Sequence, residues 1–91
     1  MINISQNNAN DVILKICNEY AEFLPQDVVK AVSEYVENRE QILAFQELCN
    51  YLYEYDAMIS VETFSAIQQI GHKFELDEGD WTFLQKLLPK D

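Results

Sequence analysis

The sequence predicts an all-α fold, a compact bundle of about five short helices that forms one domain over residues 1–91. Apolar residues recur at three- and four-residue spacing in successive segments, as they do in helices that bury one face. No segment alternates apolar and polar residues between hairpin turns, and neither glycine follows Asn or Asp. The connectors between segments are short, which favours packing of consecutive helices as antiparallel neighbours.

The first two helices are divided by Pro25. We predict a frayed start over residues 1–9 and a first helix that begins near Asn10 or Asp11. Pro25 interrupts the helical pattern, and Asp27 suits the first turn of a second helix because its charge complements the helix dipole. Their core-facing positions are predicted to be Val12, Ile13, Ile16, Cys17, Tyr20, Phe23 and Leu24, then Val28, Val29, Val32, Tyr35 and Val36.

The third helix has the clearest periodic pattern and is predicted to be central. A connector near Glu37 and Asn38 precedes it, and it runs from about Glu40 to Tyr55. Its core-facing stripe is Ile42, Phe45, Leu48, Cys49, Leu52 and Tyr55.

Two further helices are predicted in the C-terminal third of the chain. Ser60 has the side chain of an N-cap, and Glu62 suits the first turn that follows it. Asp77 or Asp80 is the predicted cap of a fifth helix, which Pro89 ends. The core-facing residues are predicted to be Val61, Phe64, Ile67, Ile70, Gly71 and Phe74 in the fourth helix, and Trp81, Leu84, Leu87 and Leu88 in the fifth.

The net charge of −10, from sixteen acidic and six basic side chains, narrows the classes of partner. Nucleic acid and anionic membranes are disfavoured as direct ligands because they carry the same sign of charge. Two interpretations of the acidity stay open at this point. It can simply keep the protein in solution, or it can complement a basic protein partner and speed their encounter.

The N-terminal residues 1–10 are polar, without the basic start and apolar run of a signal peptide or the length of a membrane anchor. We therefore expect the protein in the cytoplasm. Cys17 and Cys49 fall on predicted core faces, which in a reducing compartment favours free buried thiols over a disulfide. A single disulfide between them is the alternative.

The sequence contains few residues that could form a catalytic, metal or cofactor site. His72 is the one histidine, and we expect it at the surface or at an interface. Three scattered Cys and His side chains are too few for a structural zinc site, so we predict no metal and no cofactor. The acidic run from Glu75 to Asp80 lacks the ligand spacing of a calcium loop and is interpreted as a solvated connector.

The sequence feature that says most about function is a predicted binding face on the third helix. On the third helix, acidic and amide side chains point away from the apolar stripe and tyrosines flank them, which suits contact with Lys and Arg of a partner. Half-buried tyrosines at helix boundaries are the equally weighted alternative. The stretch from Glu47 to Asp80 has eight acidic side chains against Lys73 alone. We predict partner contacts at Glu47, Asn50, Tyr51, Tyr53, Glu54, Asp56, Glu75, Asp77, Glu78 and Asp80.

The motif Leu-Cys-Asn-Tyr-Leu-Tyr-Glu-Tyr-Asp at residues 48–56, followed by Ile59-Ser60, resembles the central motif of the MafI family of bacterial immunity proteins. The later Asp-Trp-Thr-Phe-Leu at residues 80–84 resembles the aromatic C-terminal helix of that family. The resemblance implies a protein that binds a cognate secreted toxin in the cytoplasm. It also implies a nuclease as the target, with an EndoU-like RNase as the first expectation.

Composition and resemblance agree on a non-enzymatic inhibitor that blocks a basic nuclease domain sterically and electrostatically. The principal alternative is an acidic helical adaptor or regulatory subunit that binds a different basic protein. An enzyme, with a catalytic site shared across an oligomer, is the third hypothesis. When free, the protein is expected to be a monomer, or a homodimer if one apolar stripe stays exposed.

Overall fold

Four α-helices and three 3₁₀ segments make up most of the chain that the computed structural model describes, residues 6–89. The α-helices are α1 (Gln6–Glu19), α2 (Gln26–Glu37), α3 (Gln41–Glu54) and α4 (Val61–Lys73), and the 3₁₀ segments are Ala21–Phe23, Glu78–Asp80 and Thr82–Leu87. Residues 6–89 contain no strand, so the predicted all-α fold is confirmed. The Cα radius of gyration is 12.0 Å, close to the value of about 12 Å for a compact chain of this length.

The start of α1 differs from the prediction. Residues 1–5 of the predicted frayed start lie outside the described residues, but the helix already begins at Gln6 instead of Asn10 or Asp11. The reason is tertiary packing: Ala9 is fully buried, one helical turn before the equally buried Ile13. Burial of that extra turn outweighs the low helix propensity of the asparagines around it.

The third helix is the central element, as predicted. It packs against α1, α2 and the last 3₁₀ segment, and its most extensive contact is with α2. Its inner face, Ala44, Phe45, Leu48, Cys49 and Leu52, is completely buried. The opposing α2 buries residues at positions i, i+4 and i+8, namely Val28, Val32 and Val36. Both sets follow the 3.6-residue period that the sequence showed.

Four of the predicted core residues are instead exposed, and all of them lie at element ends. Their exposed fractions are 50% for Phe23, 44% for Ile42, 43% for Tyr55 and 64% for Val61. Periodicity assigns such residues to the inner face of their helix. However, the inner face of a terminal turn is buried only where another element extends far enough to cover it.

Three of the helices end in the same way, with a charged residue in the left-handed region of backbone conformation. The residues are Arg39 after α2, Asp56 after α3 and Glu75 after α4, with φ angles of 63°, 55° and 56°. Each helix closes with the 6→1 backbone hydrogen bond of a Schellman motif, a position that usually favours glycine. These bonds run from Glu40 N to Tyr35 O at 2.8 Å, Ala57 N to Leu52 O at 3.0 Å, and Leu76 N to Gly71 O at 3.0 Å.

The predicted N-cap of α4 is confirmed, because the Thr63 amide donates a hydrogen bond of 3.0 Å to Ser60 Oγ. The cap is joined to the end of α1 through a tyrosine hydroxyl. The amide of Ser60 donates to Tyr20 Oη at 3.1 Å, and Tyr20 Oη donates to Thr63 Oγ1 at 3.2 Å. These bonds hold the first turn of α4 beside α1.

The predicted fifth helix is present and has the 3₁₀ form. Residues Glu78–Asp80 and Thr82–Leu87 form 3₁₀ segments, and the Asp77 side chain makes no capping hydrogen bond while Asp80 lies inside the first segment. The predicted burial of Trp81, Leu84 and Leu87 is nevertheless confirmed. Their three-residue spacing suits a helix with three residues per turn, because such residues align on one side of it.

Trp81 is fully buried against Gly71 of α4. A Cβ atom on Gly71 would collide with the Cε3 and Cζ3 carbons of the indole ring. The other end of the C-terminal segment is fixed by a backbone hydrogen bond of 3.1 Å from Ile59 N to Leu87 O. The absence of a side chain at residue 71 therefore sets how closely this segment approaches α4.

Replacement of Gly71 by alanine should destabilise the protein. The added methyl group must displace the Trp81 ring, and overpacking of this kind costs about 1–3 kcal/mol, partly offset by the better helix propensity of alanine, about 1 kcal/mol. We expect a net loss of up to about 2 kcal/mol in the free energy of unfolding, measured by urea denaturation with circular dichroism at 222 nm.

The matched control is Gly79→Ala. A Cβ atom on Gly79 meets nothing within 4 Å, so its free energy of unfolding should stay within about 0.5 kcal/mol of wild type. Equal stability of the two variants would contradict the packing assigned to Trp81.

Candidate functional site

The outer face of α3 carries the predicted binding residues on the side opposite the core. Asn50, Tyr53 and Glu54 are exposed, whereas Glu47 and Tyr51 are half-buried. Leu48 and Leu52, between them in sequence, are completely buried. This arrangement follows from the 100° turn per residue of an α-helix, and it leaves the polar side chains available for contact.

A shallow pocket of about 270 Å³ lies between α3 and the turn at Gly79. We call it the α3–Gly79 pocket. It brings together Glu47, Asn50 and Asp80, which belong to the two sets of predicted contact residues that are separated in the sequence. The complete lining is Leu43, Gln46, Glu47, Asn50, Gly79, Asp80 and Phe83.

An aromatic pair extends this surface. The rings of Tyr53 and Phe83 are 5.3 Å apart between centroids and nearly perpendicular, at 88°. Such an edge-to-face arrangement is favourable and holds both rings in position. Because Phe83 lines the α3–Gly79 pocket, Tyr53 is joined to that pocket through it.

The other flank of α3 carries a second pair of tyrosines. The rings of Tyr51 and Tyr55 stack with centroids 6.2 Å apart and an angle of 23° between their planes. The pKa of the Tyr51 hydroxyl is raised above its usual value, chiefly by the Glu47 carboxylate, then by burial and by the neighbouring Glu54 and Tyr55, with Asp27 of α2 contributing least. A phenolate is disfavoured there because the surrounding field is negative.

The remaining predicted contact residues lie around this face. Asp56 is exposed at the end of α3, and Glu75, Asp77 and Glu78 are exposed in the turn and 3₁₀ segment after α4. These four residues are not part of the lining of the α3–Gly79 pocket. The structure thus gathers three of the ten predicted residues into one pocket and leaves the others on the surrounding surface.

Buried cysteines occupy the interior side of the same region. Cys17 and Cys49 are free and buried, as predicted. Burial raises the pKa of the Cys49 thiol far above its usual value, and the Asp80 carboxylate raises it further. Burial also raises the pKa of the Cys17 thiol. Neither thiol has the electropositive, accessible surroundings of a nucleophile.

His72 is exposed, as predicted, with its ring edge-to-face against Trp81 at a centroid distance of 5.3 Å. Over the described part of the chain, no group of three or more His, Cys, Asp or Glu side chains is arranged to hold a metal ion.

Comparison of the chain with protein-family models, with curated proteins and with solved structures finds no match. None of the helices over residues 6–89 is long and apolar enough to cross a membrane.

Sequence reasoning missed Leu43, Gln46, Gly79 and Phe83 as parts of the site. Phe83 had a detectable signal, because it is a large aromatic residue off the three-residue spacing of Trp81, Leu84 and Leu87. The other three have no distinguishing signal, since their role depends on which segment lies opposite α3.

The native thiols should resist thiol–disulfide exchange with an added disulfide reagent. With Cys17 replaced by alanine, Cys49 should react with Ellman's reagent only as fast as the protein opens, because the thiol is buried and its pKa is raised. The unfolded variant, with its thiol exposed, is the reference for full reactivity. Rapid labelling of the native variant, at the rate seen for the unfolded one, would contradict the assigned burial.

The replacement Glu47→Gln should lower the pKa of Tyr51, because Glu47 is the largest cause that raises it. The titration is followed through the Tyr51 ¹³Cζ chemical shift over roughly pH 9 to 12. The matched control is Glu62→Gln on α4, where an exposed carboxylate contributes nothing to the shift. An unchanged Tyr51 pKa in Glu47→Gln would mean that Glu47 does not face the ring.

Proposed function

We propose that this protein binds and blocks a basic protein partner, and that it acts as an immunity protein that neutralises a cognate bacterial toxin domain. The observation that carries the proposal is the joining of Glu47, Asn50 and Asp80 in one pocket beside the Tyr53–Phe83 pair. Acidic side chains next to the exposed Tyr53 ring and the half-buried Phe83 ring suit a partner rich in Lys and Arg.

The position of the charges supports a protein partner over simple solubility. Glu47 and Asp80 are half-buried and line the same concave surface. Charges of one sign in a cleft with low-dielectric walls produce a stronger local potential than charges spread over a convex surface. The raised pKa of Tyr51 is a second sign of a negative field on this helix face.

The rigidity of the surface also supports binding. Half of the ten predicted contact residues project from α3, whose inner face is completely buried against three other elements. Phe83 lies between Trp81 and Leu84, both of which are buried. A surface that is already ordered loses little conformational entropy when a partner binds.

A nuclease toxin fits these properties, as the resemblance to the MafI family implies. Nuclease clefts bind phosphates with Lys and Arg, so an acidic bundle competes for the same groups. Inhibition is then steric and electrostatic, with an EndoU-like RNase as the first candidate target. In this proposal the protein acts in the cytoplasm of the toxin-producing cell, without a cofactor and without binding nucleic acid itself.

Co-expression tests the proposal directly. The protein is produced together with the C-terminal domain of the large secreted protein encoded beside its gene, and cell survival and co-purification are measured. We expect rescue and a stable complex. Survival in the absence of a complex, or toxicity without rescue, would favour the alternative function of an acidic adaptor for a different basic protein.

Charge reversal then locates the binding face. Glu54→Lys and Asp77→Lys should each weaken the complex by about tenfold, about 1.4 kcal/mol, chiefly through a slower association rate. The matched control is Glu34→Lys, the same change at an exposed position of α2, which should leave affinity nearly unchanged. Rising salt should also slow association. Equal effects of all three reversals, or salt-insensitive association, would contradict the electrostatic mechanism.

A further inference from the structure

The lining of the α3–Gly79 pocket suits one long cationic side chain. Glu47 and Asp80 supply carboxylates that accept hydrogen bonds from a guanidinium or ammonium group, and Asn50 adds an amide oxygen. Phe83 adds an aromatic ring, which attracts a cation through its π electrons. The volume of about 270 Å³ equals that of about nine water molecules at about 30 Å³ each, which admits such a side chain.

A second depression, of about 440 Å³, adjoins this pocket at the turn between α2 and α3. The two depressions share Leu43 and Gln46 in their linings. The lining of the second depression combines the apolar side chains of Ile42, Leu43 and Phe74 with Arg39, Glu40, Gln41 and Gln46. Its position explains why Ile42, at the start of α3, is 44% exposed instead of packed in the core.

The distance between the two depressions defines the segment that fits them. Ile42 and Asn50 are eight residues apart on α3, which corresponds to about 12 Å along the helix axis. An extended chain advances about 3.3 Å per residue, so about four residues cover this distance. One extended segment can therefore place a cationic side chain in the α3–Gly79 pocket and an apolar one in the second depression.

We propose that the two depressions together recognise one segment of the basic partner, which inserts a Lys or Arg side chain into the α3–Gly79 pocket and an apolar side chain, two to four residues away, beside Ile42. This inference rests on the proposed function and assigns it a specificity-determining contact. Charge complementarity favours a basic partner over a second copy of this chain, because two chains with a net charge of −10 each repel one another.

Gly79 offers a way to close the pocket without changing a charge. A Cβ atom added at residue 79 meets nothing within 4 Å, and the φ of Gly79 is not in the left-handed region, so we expect the fold to accept a side chain there. We expect Gly79→Leu to weaken binding to the co-expressed toxin domain by about thirtyfold or more, as at an interface hot spot. Circular dichroism and urea denaturation should match wild type, and Gly79→Ala should have a smaller effect.

The apolar depression is tested by Ile42→Ser, which should weaken binding by about three- to tenfold. Its matched control is Val61→Ser, which removes an apolar side chain that is more exposed, at 64%, and lies outside both depressions. Binding of Val61→Ser should equal that of wild type. An equal loss in the two serine variants would overturn the assignment of the apolar depression.

The cationic contact is tested by alanine scanning of Lys and Arg in the toxin domain, repeated against wild type and Gly79→Leu. Alanine at one basic residue of the toxin domain should weaken binding to the wild-type protein but not binding to Gly79→Leu. The reason is that the alanine replacement and Gly79→Leu remove the same contact. If, at every basic residue, the loss of binding free energy from alanine replacement simply added to the loss from Gly79→Leu, the inference would be contradicted.

The outcomes separate this inference from the proposed function. If no complex forms with the toxin domain, the proposed function fails and this inference fails with it. If the complex forms and Gly79→Leu binds as tightly as wild type, the pocket assignment fails while the proposed function stands. Concentration-dependent self-association of the free protein that Gly79→Leu abolishes would instead assign the pocket to a second copy.

Discussion

The packing of Trp81 on Gly71 is the contact on which the proposed binding surface depends. The indole ring is fully buried and lies where a Cβ atom on Gly71 would otherwise be. Trp81 is preceded by Asp80 and followed two residues later by Phe83, and both of these line the pocket beside α3. One buried ring therefore fixes the position of the charge and the aromatic surface that face Glu47. At the other end of the segment, the hydrogen bond from Ile59 to Leu87 prevents the chain from sliding along α4.

In the third helix, neighbouring residues belong in turn to the core and to the surface. Cys49 faces the core and its neighbour Asn50 lines the pocket, so that a change in the position of α3 moves both. The Asp80 carboxylate raises the pKa of the Cys49 thiol, which shows that the acidic surface acts across the helix into the interior. Half-buried carboxylates lose part of their hydration, and a cation from a partner restores favourable interactions to them.

Hydrophobic periodicity predicted the four α-helices because each buries a continuous stripe, and the Ser60 cap followed from side-chain chemistry. The errors have physical causes. Ile42 and Val61 lie on the inner face of their helices according to the helical period, but no other element covers them at the helix ends. Ala9 extends α1 because tertiary burial outweighs propensity. The 3₁₀ form of residues 82–87 is compatible with the three-residue spacing of Trp81, Leu84 and Leu87, although such long 3₁₀ segments are uncommon. The pocket was not predictable, since Gly79 and Phe83 belong to it only through the way their segment packs on α3 and α4.

Three charged surface residues have a left-handed backbone conformation that lowers the stability of the fold. A non-glycine residue in this conformation costs roughly 1–2 kcal/mol, and glycine avoids that cost. Arg39, Asp56 and Glu75 all adopt it. Asp56 lies at the end of α3 within the acidic surface, and Arg39 lines the apolar depression near the start of α3. Charged side chains thus stand at both ends of the proposed binding face where glycine would give a more stable fold.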